Sequence, residues 1–425
     1  MALASIACSG TSRGKAPGGS LAASEDVAAE KRDAAPPDEG DAAGADAGDA
    51  AVTDEGDAAP AVTTQMRATI AAGLLHTCAI SEERVSCWGS NEFGQLGNGS
   101  EGGKRLAPVA VKRGTSEFAE VTALAAGWNH TCAVSSGSAY CWGSNEYGQL
   151  GDGSTTNSPS PAAVPKVSST VGVVTAITAG TDHTCALADG VVRCWGRNNV
   201  GQLGSGSDSL EETEPQRVEN LDNVTALAAG AGHTCAVSAK LVFCWGHNAA
   251  GQLGDGSKID RKLPGLVKNL DNVTAIVAGL AHTCALSNGT VHCWGKNKYG
   301  QVGDGTTTDT LVPVLLGRLV AVTALGAGTN HTCAFSKGVV SCWGFNLHGQ
   351  LGDGSTNDRS SPVAVKDGAN LLHDVTALAG GQLHTCAQLV SAVYCWGNNT
   401  NLQLGAGLPS DSTIPRLVPD PIFGP

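Results

Sequence analysis

Residues Ala278 to Gly303 read AGLAHTCALSNGTVHCWGKNKYGQVG, and the reading of this stretch decides the fold. Two short apolar runs, 283–286 and 291–294, flank Asn288-Gly289. Runs of this length joined at Asn-Gly predict a β-hairpin with a two-residue type I′ turn, because both central residues need positive φ. Cys284 and Cys293 sit equally far from the turn and therefore face each other across it. Outward from the closing pair, Ser287 with Thr290, hydrogen-bonded and non-bonded pairs alternate, which makes the pair of Cys284 and Cys293 non-bonded. Such pairs hold their Cα atoms about 4.5 Å apart, at the short end of what a disulfide spans.

The unit recurs along the chain. His-Thr-Cys-Ala begins at His76, His130, His183, His233, His282, His331 and His384, at intervals of 54, 53, 50, 49, 49 and 53 residues. In every copy a Cys-Trp-Gly follows, with its cysteine nine positions after the first. The predicted disulfides join Cys78 with Cys87, Cys132 with Cys141, Cys185 with Cys194, Cys235 with Cys244, Cys284 with Cys293, Cys333 with Cys342 and Cys386 with Cys395. Asp189-Gly190, Ser136-Gly137 and Lys337-Gly338 repeat the turn signal, whereas Glu82-Glu83, Ala239-Lys240 and Val390-Ser391 leave the turn type open. A period near 50 residues with several short strands per unit means a propeller or solenoid. Seven copies predict an all-β, seven-bladed propeller of four-stranded antiparallel blades, spanning residues 65–425.

Residues 1–15 read as a truncated export or lipoprotein signal, and 16–64 as a disordered Ala/Asp/Gly/Glu/Pro spacer. The spacer carries twelve acids against Lys31 and Arg32 and has no aromatic residue. It cannot bury enough apolar surface to offset the entropy of ordering. The propeller itself is only mildly acidic, and the whole chain has a formal charge of −13. No basic stripe argues for nucleic acid, so nucleic acid is left out.

Fourteen of the fifteen cysteines belong to the repeated pairs, and dense pairing at constant spacing indicates an oxidising compartment. Two alternatives stand beside disulfides. Each His-x-Cys adds a third ligand for zinc, as in His282, Cys284 and Cys293, but no fourth ligand repeats. Buried free thiols are the other. The remaining Cys8, in Ser5-Ile6-Ala7-Cys8, resembles a bacterial lipidation site, although Ser5 replaces the usual leucine and only seven residues precede it. A lipid anchor at Cys8 is the one membrane attachment expected.

Written in full, the unit is Pro-x-x-Val, Val-Thr-Ala-Leu/Ile-x-Ala-Gly, x-x-His-Thr-Cys-Ala, then Val-x-Cys-Trp-Gly-x-Asn-x-x-Gly-Gln-Leu-Gly-Asp-Gly. It resembles the repeat of the regulator of chromosome condensation family over about residues 67–419. That resemblance implies a seven-bladed propeller, and the cysteine pairs mark a disulfide-rich, bacterial-type variant. The recurring tryptophans (Trp88 to Trp396) read as packing between blades. The Gly-Gln-Leu-Gly glutamines, such as Gln95, read as partners for backbone groups that no ladder satisfies. Asp152, Asp255, Asp304 and Asp353, the last near Asn357 and Asp358, suggest calcium. Their pattern is nevertheless that of Asx and Ser/Thr turns, without the denser run a calcium loop needs. Leu402 replaces the loop glycine of the other copies and leaves that loop's geometry in question.

Between the fixed glycine and histidine the side chains vary, and invariant neighbours around variable positions are what a scaffold presenting a surface looks like. The candidate binding residues are Leu74, Leu75, Trp128, Asn129, Thr181, Asp182, Leu280, Thr329, Asn330, Gln382 and Leu383. In the family's plant ultraviolet photoreceptors the matching positions carry Trp-Arg and form an interaction surface. Trp128 matches the Trp, and one tryptophan cannot form a chromophore cluster, so an anchor for a partner is its expected role.

These readings predict a monomeric, non-catalytic binding scaffold, extracellular or in the cell envelope, gripping a protein or glycan with one face. A family propeller that inhibits a secreted β-lactamase shows that the resemblance allows such a role. The alternative is guanine-nucleotide exchange on a small GTPase, the founding member's activity. Nothing in the repeat implies a catalytic residue, a metal or a cofactor. For closure of the ring, Ile414 to Val418 is expected to pair beside the first strand at 67–72, because the first copy has no Pro-x-x-Val strand upstream of it.

Overall fold

The computed structural model describes residues 69–167, 172–366, 372–407 and 409–419. Cys8 and the segments 1–15 and 16–64 lie outside the described residues. Seven four-stranded antiparallel sheets follow one another along the chain, each with its strands in sequence order from first to fourth. Blade 1 comprises Ile70–Ala72, His76–Ser81, Arg84–Ser90 and Lys104–Ala110; blade 7 comprises Val375–Gly380, His384–Leu389, Val393–Gly397 and Ser412–Leu417. A small additional hairpin, Lys112–Arg113 with Ser116–Glu117, follows blade 1.

The quoted stretch forms strands two and three of blade 5, with Cys284 opposite Cys293 and Ser287 opposite Thr290. Asn288 and Gly289 take φ of 50° and 75°, as a type I′ turn requires. Glu82-Glu83 and Ala239-Lys240 adopt the same left-handed pair without glycine, at 48°/61° and 50°/64°.

All seven cysteine pairs are disulfides within their own blades, and the free-thiol alternative falls away. In blades 1 to 4, Cys78 is bonded to Cys87, Cys132 to Cys141, Cys185 to Cys194 and Cys235 to Cys244. In blades 5 to 7, Cys284 is bonded to Cys293, Cys333 to Cys342 and Cys386 to Cys395. Their Cα atoms lie 4.0–4.1 Å apart, somewhat closer than the spacing expected of a non-bonded pair. Every one of these cysteines is buried.

The blades do not close as expected. Ser412–Leu417 pairs with Val393–Gly397 of its own blade, placing Leu417 opposite Tyr394 and Ser412 opposite Gly397. Ile70–Ala72 pairs with His76–Ser81 alone. The Pro-x-x-Val segment is therefore the fourth strand of the blade before it, as Glu211–Arg217 is for blade 3. Phased this way, copy one lacks nothing, and the first and last described strands share no sheet. Blades 1 and 7 meet through packing across their faces: Ile70 and Trp88 of blade 1 pack in one cluster with Cys386, Cys395, Leu404 and Val418 of blade 7.

The same arrangement serves at every junction. Trp142 of blade 2, for example, packs with Leu96, Cys78 and Cys87 of blade 1. The loop glycines seat against this indole. A Cβ on Gly97, which lies at φ 65°, would come within 2.7 Å of Trp142 Nε1. Leu402 keeps the left-handed turn of the glycines it replaces, at φ 64°, and the Gly405 amide still donates to its carbonyl at 3.2 Å.

Candidate functional site: the axial face

In a blade whose strands alternate direction, the connection between strands one and two and the one between strands three and four emerge at the same end. The variable Gly-x-x-His residues sit on the first of these connections. The Asn-x-x-Gly-Gln loops occupy the second.

Around the axis the first connections are joined by backbone. The amides of Leu74, Trp128, Thr181, Ala231 and Leu280 each donate to the carbonyl at the matching position of the next blade, at 3.1–3.4 Å. The Thr329 amide donates to Gly381 and the Gln382 amide to Gly73, completing the circle. The preceding glycine has to be glycine: a Cβ on Gly73 would stand 2.3 Å from His76 Cε1 and 2.5 Å from the Gly127 carbonyl.

Beneath this circle lies a second one, made of the invariant His-Thr pairs. His76 Nε2 meets Thr131 Oγ1 at 2.9 Å, and the pattern runs through every blade to His384 with Thr77 at 2.8 Å. Each threonine hydroxyl donates to the carbonyl of the preceding blade's loop glutamine, as Thr131 does to Gln95 at 2.8 Å. The Trp142 indole N–H donates to the same carbonyl at 2.9 Å. A hydroxyl whose proton is committed can only accept from histidine, so all seven rings carry their proton on Nε2. Their Nδ1 atoms are buried without a partner. Burial pushes these histidines down to about 3 or 4, and each is neutral at physiological pH. The sulfurs of the zinc alternative are committed to disulfides.

The loop glutamines act as expected through their side chains, Gln95 Oε1 accepting the Phe93 amide at 2.9 Å. The loop aspartates form Asx turns: Asp353 Oδ1 accepts the Ser355 amide at 2.9 Å, and Arg359 pairs with the same carboxylate. Burial raises the Asp353 carboxyl, but the Ser355 hydroxyl and amide and Arg359 outweigh it and hold it below the ordinary range.

Seven of the variable residues surround the axial mouth, among them Leu74, Trp128, Thr181, Leu280, Thr329 and Gln382. The cavity they line is only about 70 Å³, well below the size of an ordinary small-molecule site. Leu75, Asn129, Asp182, Asn330 and Leu383 stand one position outward, half-buried, their carbonyls accepting amides from the ends of the third strands. Trp128 is 37% exposed, whereas the seven blade tryptophans are fully buried.

A second, outer set went unread in the sequence. It comprises the two variable residues of Asn-x-x-Gly-Gln and the residue before that asparagine. Tyr147 of blade 2 stacks under the Arg197 guanidinium of blade 3 at 4.8 Å, and Arg197 pairs with Asp182 at 3.3 Å. Burial raises the Asp182 carboxyl; Arg197 opposes this and the nearby Glu146 adds to it. Further round, Tyr299 meets Phe345 with ring centroids 4.7 Å apart, and Lys298 lies 5.4 Å over Tyr299. The signal for this set was available, since these positions vary inside an otherwise repeated loop.

Fold and face together define a seven-bladed propeller of RCC1 type with a variable axial surface. The RCC1-like domain pattern matches residues 42–387 and an RCC1 repeat matches 391–423, and the chain belongs to the RCC1-like domain family. It is similar to the probable E3 ubiquitin-protein ligase HERC4 of Rattus norvegicus, 36% identical over 158 residues, covering 36% of this chain and 14% of that protein. It is also similar to the ultraviolet-B receptor UVR8 of Arabidopsis thaliana, 32% identical over 155 residues, covering 35% of this chain and 34% of the receptor. The matched region thus spans about a seventh of the first relative and a third of the second. Yeast RCC1 (Prp20), solved bound to Kap60, superposes with a TM-score of 0.69 at 21% identity, over 81% of this chain and 85% of its own. Human WBSCR16 superposes at 0.65 with 24% identity, over 75% of this chain and 85% of its own. These two likenesses show the fold.

Proposed function

We propose that the protein is a non-catalytic binding scaffold, exported and tethered to a cell envelope, which presents its axial face to a protein or glycan. Trp128 carries this reading. It is the one tryptophan that leaves the blade interior, and it stands at the mouth where the side chains vary. Seven buried disulfides support an oxidising, extracellular setting. Within the family this is a disulfide-rich, bacterial-type variant, with residues 1–15 as signal, Cys8 as lipid attachment, 16–64 as spacer and 65–425 as propeller. Among the described residues no helix is long and apolar enough to cross a membrane. The full chain, used as bait on the native envelope fraction, should capture a partner that Trp128→Ala fails to hold at unchanged melting temperature. Equal capture by both proteins would refute the role given to this face.

A further inference from the structure

The axial face is electrically lopsided, although the scaffold beneath it is sevenfold. Glu92 lies on the outer loop of blade 1 and Glu146 on that of blade 2, and both are exposed. Neither is in an ion pair among the described residues. Asp182 adds a third carboxylate in blade 3, already held by Arg197. On the far side of the ring, blade 5 contributes Lys296 and Lys298 to the equivalent loop, beside the Tyr299–Phe345 pair.

Trp128 belongs to the acidic side. The loop of blade 1 that bears Glu92 packs against Trp128's blade, because the Gln95 carbonyl accepts from both Thr131 and Trp142. On the other flank the Trp128 amide donates to Thr181, next to Asp182, which feels the charge of Glu146. The loop packed on Trp128's blade and the loop of that blade itself each carry an exposed carboxylate. The negative face of an indole attracts cations, more so than that of tyrosine or phenylalanine. Exposed carboxylates around it add to the same potential.

Resting on the reading of this face as the binding surface, we propose that the arc formed by Glu92, Trp128 and Glu146 docks a basic segment of a protein partner. A lysine or arginine side chain lies over the Trp128 indole. Lys296 and Lys298 across the mouth repel such a segment and fix which way it lies. Specificity thus comes from attraction on one arc and repulsion on the other.

Trp128 emission reports this site alone, since the other seven tryptophans are buried with their N–H groups bound to glutamine carbonyls. Octalysine, octaglutamate and a neutral hexasaccharide are titrated into the full chain. Peptide captured elsewhere, including on the acidic residues 16–64, leaves this emission unchanged, and Trp128→Ala supplies the blank. Octalysine should perturb Trp128, and Glu92→Gln with Glu146→Gln should weaken that response about five- to tenfold. Added salt should weaken it further, while Lys296→Ala with Lys298→Ala should leave it equal or tighter. A response to octaglutamate or to the hexasaccharide in place of octalysine overturns the proposal, as does indifference to the glutamate substitutions. If a captured partner needs Trp128 but is insensitive to Glu92 and Glu146, the face stands as the binding surface and the basic-segment proposal fails.

Discussion

Acidification should unfold this propeller through its ring of buried histidines. Each ring is neutral in the folded protein, with burial holding it at about 3 or 4 against 6.5 for an exposed histidine. Below pH 6.5 the unfolded chain takes up protons that the folded chain refuses, so the stabilisation is complete above pH 6.5. It is lost progressively as the pH falls toward 4. Each site loses about 1.4 kcal/mol per pH unit in that window, hence about 2 kcal/mol at pH 5. Seven independent sites would sum to about 14 kcal/mol, comparable with the whole stability of an ordinary domain. Carboxylates such as Asp255 and Asp353, whose pKa values are held low, weaken the fold only at lower pH. The assay is guanidinium unfolding of the disulfide-intact protein at pH 8, 6 and 5. The midpoint should fall steeply between pH 6 and 5, and His282→Gln should remove about one seventh of the fall. Gln keeps an N–H for Thr332 and carries no titrating group. A midpoint unchanged from pH 8 to 5 would refute the reasoning.

Three further outcomes follow from particular residues. Every disulfide sulfur belongs to a buried cysteine and closes a loop worth on the order of 2–3 kcal/mol. Dithiothreitol under native conditions should therefore leave all seven bonds intact by non-reduced peptide mapping, and free thiols appearing before unfolding would contradict that burial. Lys240 holds φ 64° at the position where blade 5 has Gly289, so Lys240→Gly should raise stability by about 1 kcal/mol in chemical denaturation; a loss of stability would show that the turn carries no left-handed strain. Acrylamide should quench one tryptophan in the native protein, and Trp128→Ala should abolish that quenchable fraction; a residual quenched fraction would mean that the blade tryptophans are accessible.

Much of the fold was legible because it is written locally. Nine-residue cysteine spacing and Asn-Gly or Asp-Gly turns determine a hairpin within twelve residues, and seven copies give the blade number. Blade phasing was not legible. A cyclic repeat reads the same from any starting strand, and whether Pro215 belongs with the blade before or after it is decided by pairing with residues 191–197. The histidines escaped for a related reason. Their partners lie one blade on, as Thr131 does from His76, and no local pattern announces a bond across 55 residues. At the candidate site, the positions that vary around Trp128 lie together around the axial mouth. The outer ring carried the same signal of variation within a repeated loop, but Glu92, Glu146 and Lys298 form a group only once the propeller brings their loops to the same end.

The most direct test of the axial face as the binding surface compares two single substitutions at opposite ends of the blades. Trp128→Ala alters the axial mouth, while Val390→Ala alters an exposed hairpin turn on the other side, where Val390 is 78% exposed. With the partner recovered from the envelope fraction, Kd is measured for each variant alongside the parent chain. Trp128→Ala should weaken binding by about tenfold or more, about 1.4 kcal/mol, and Val390→Ala should leave it unchanged. The reverse ranking would place the binding surface on the turn side and contradict the central claim.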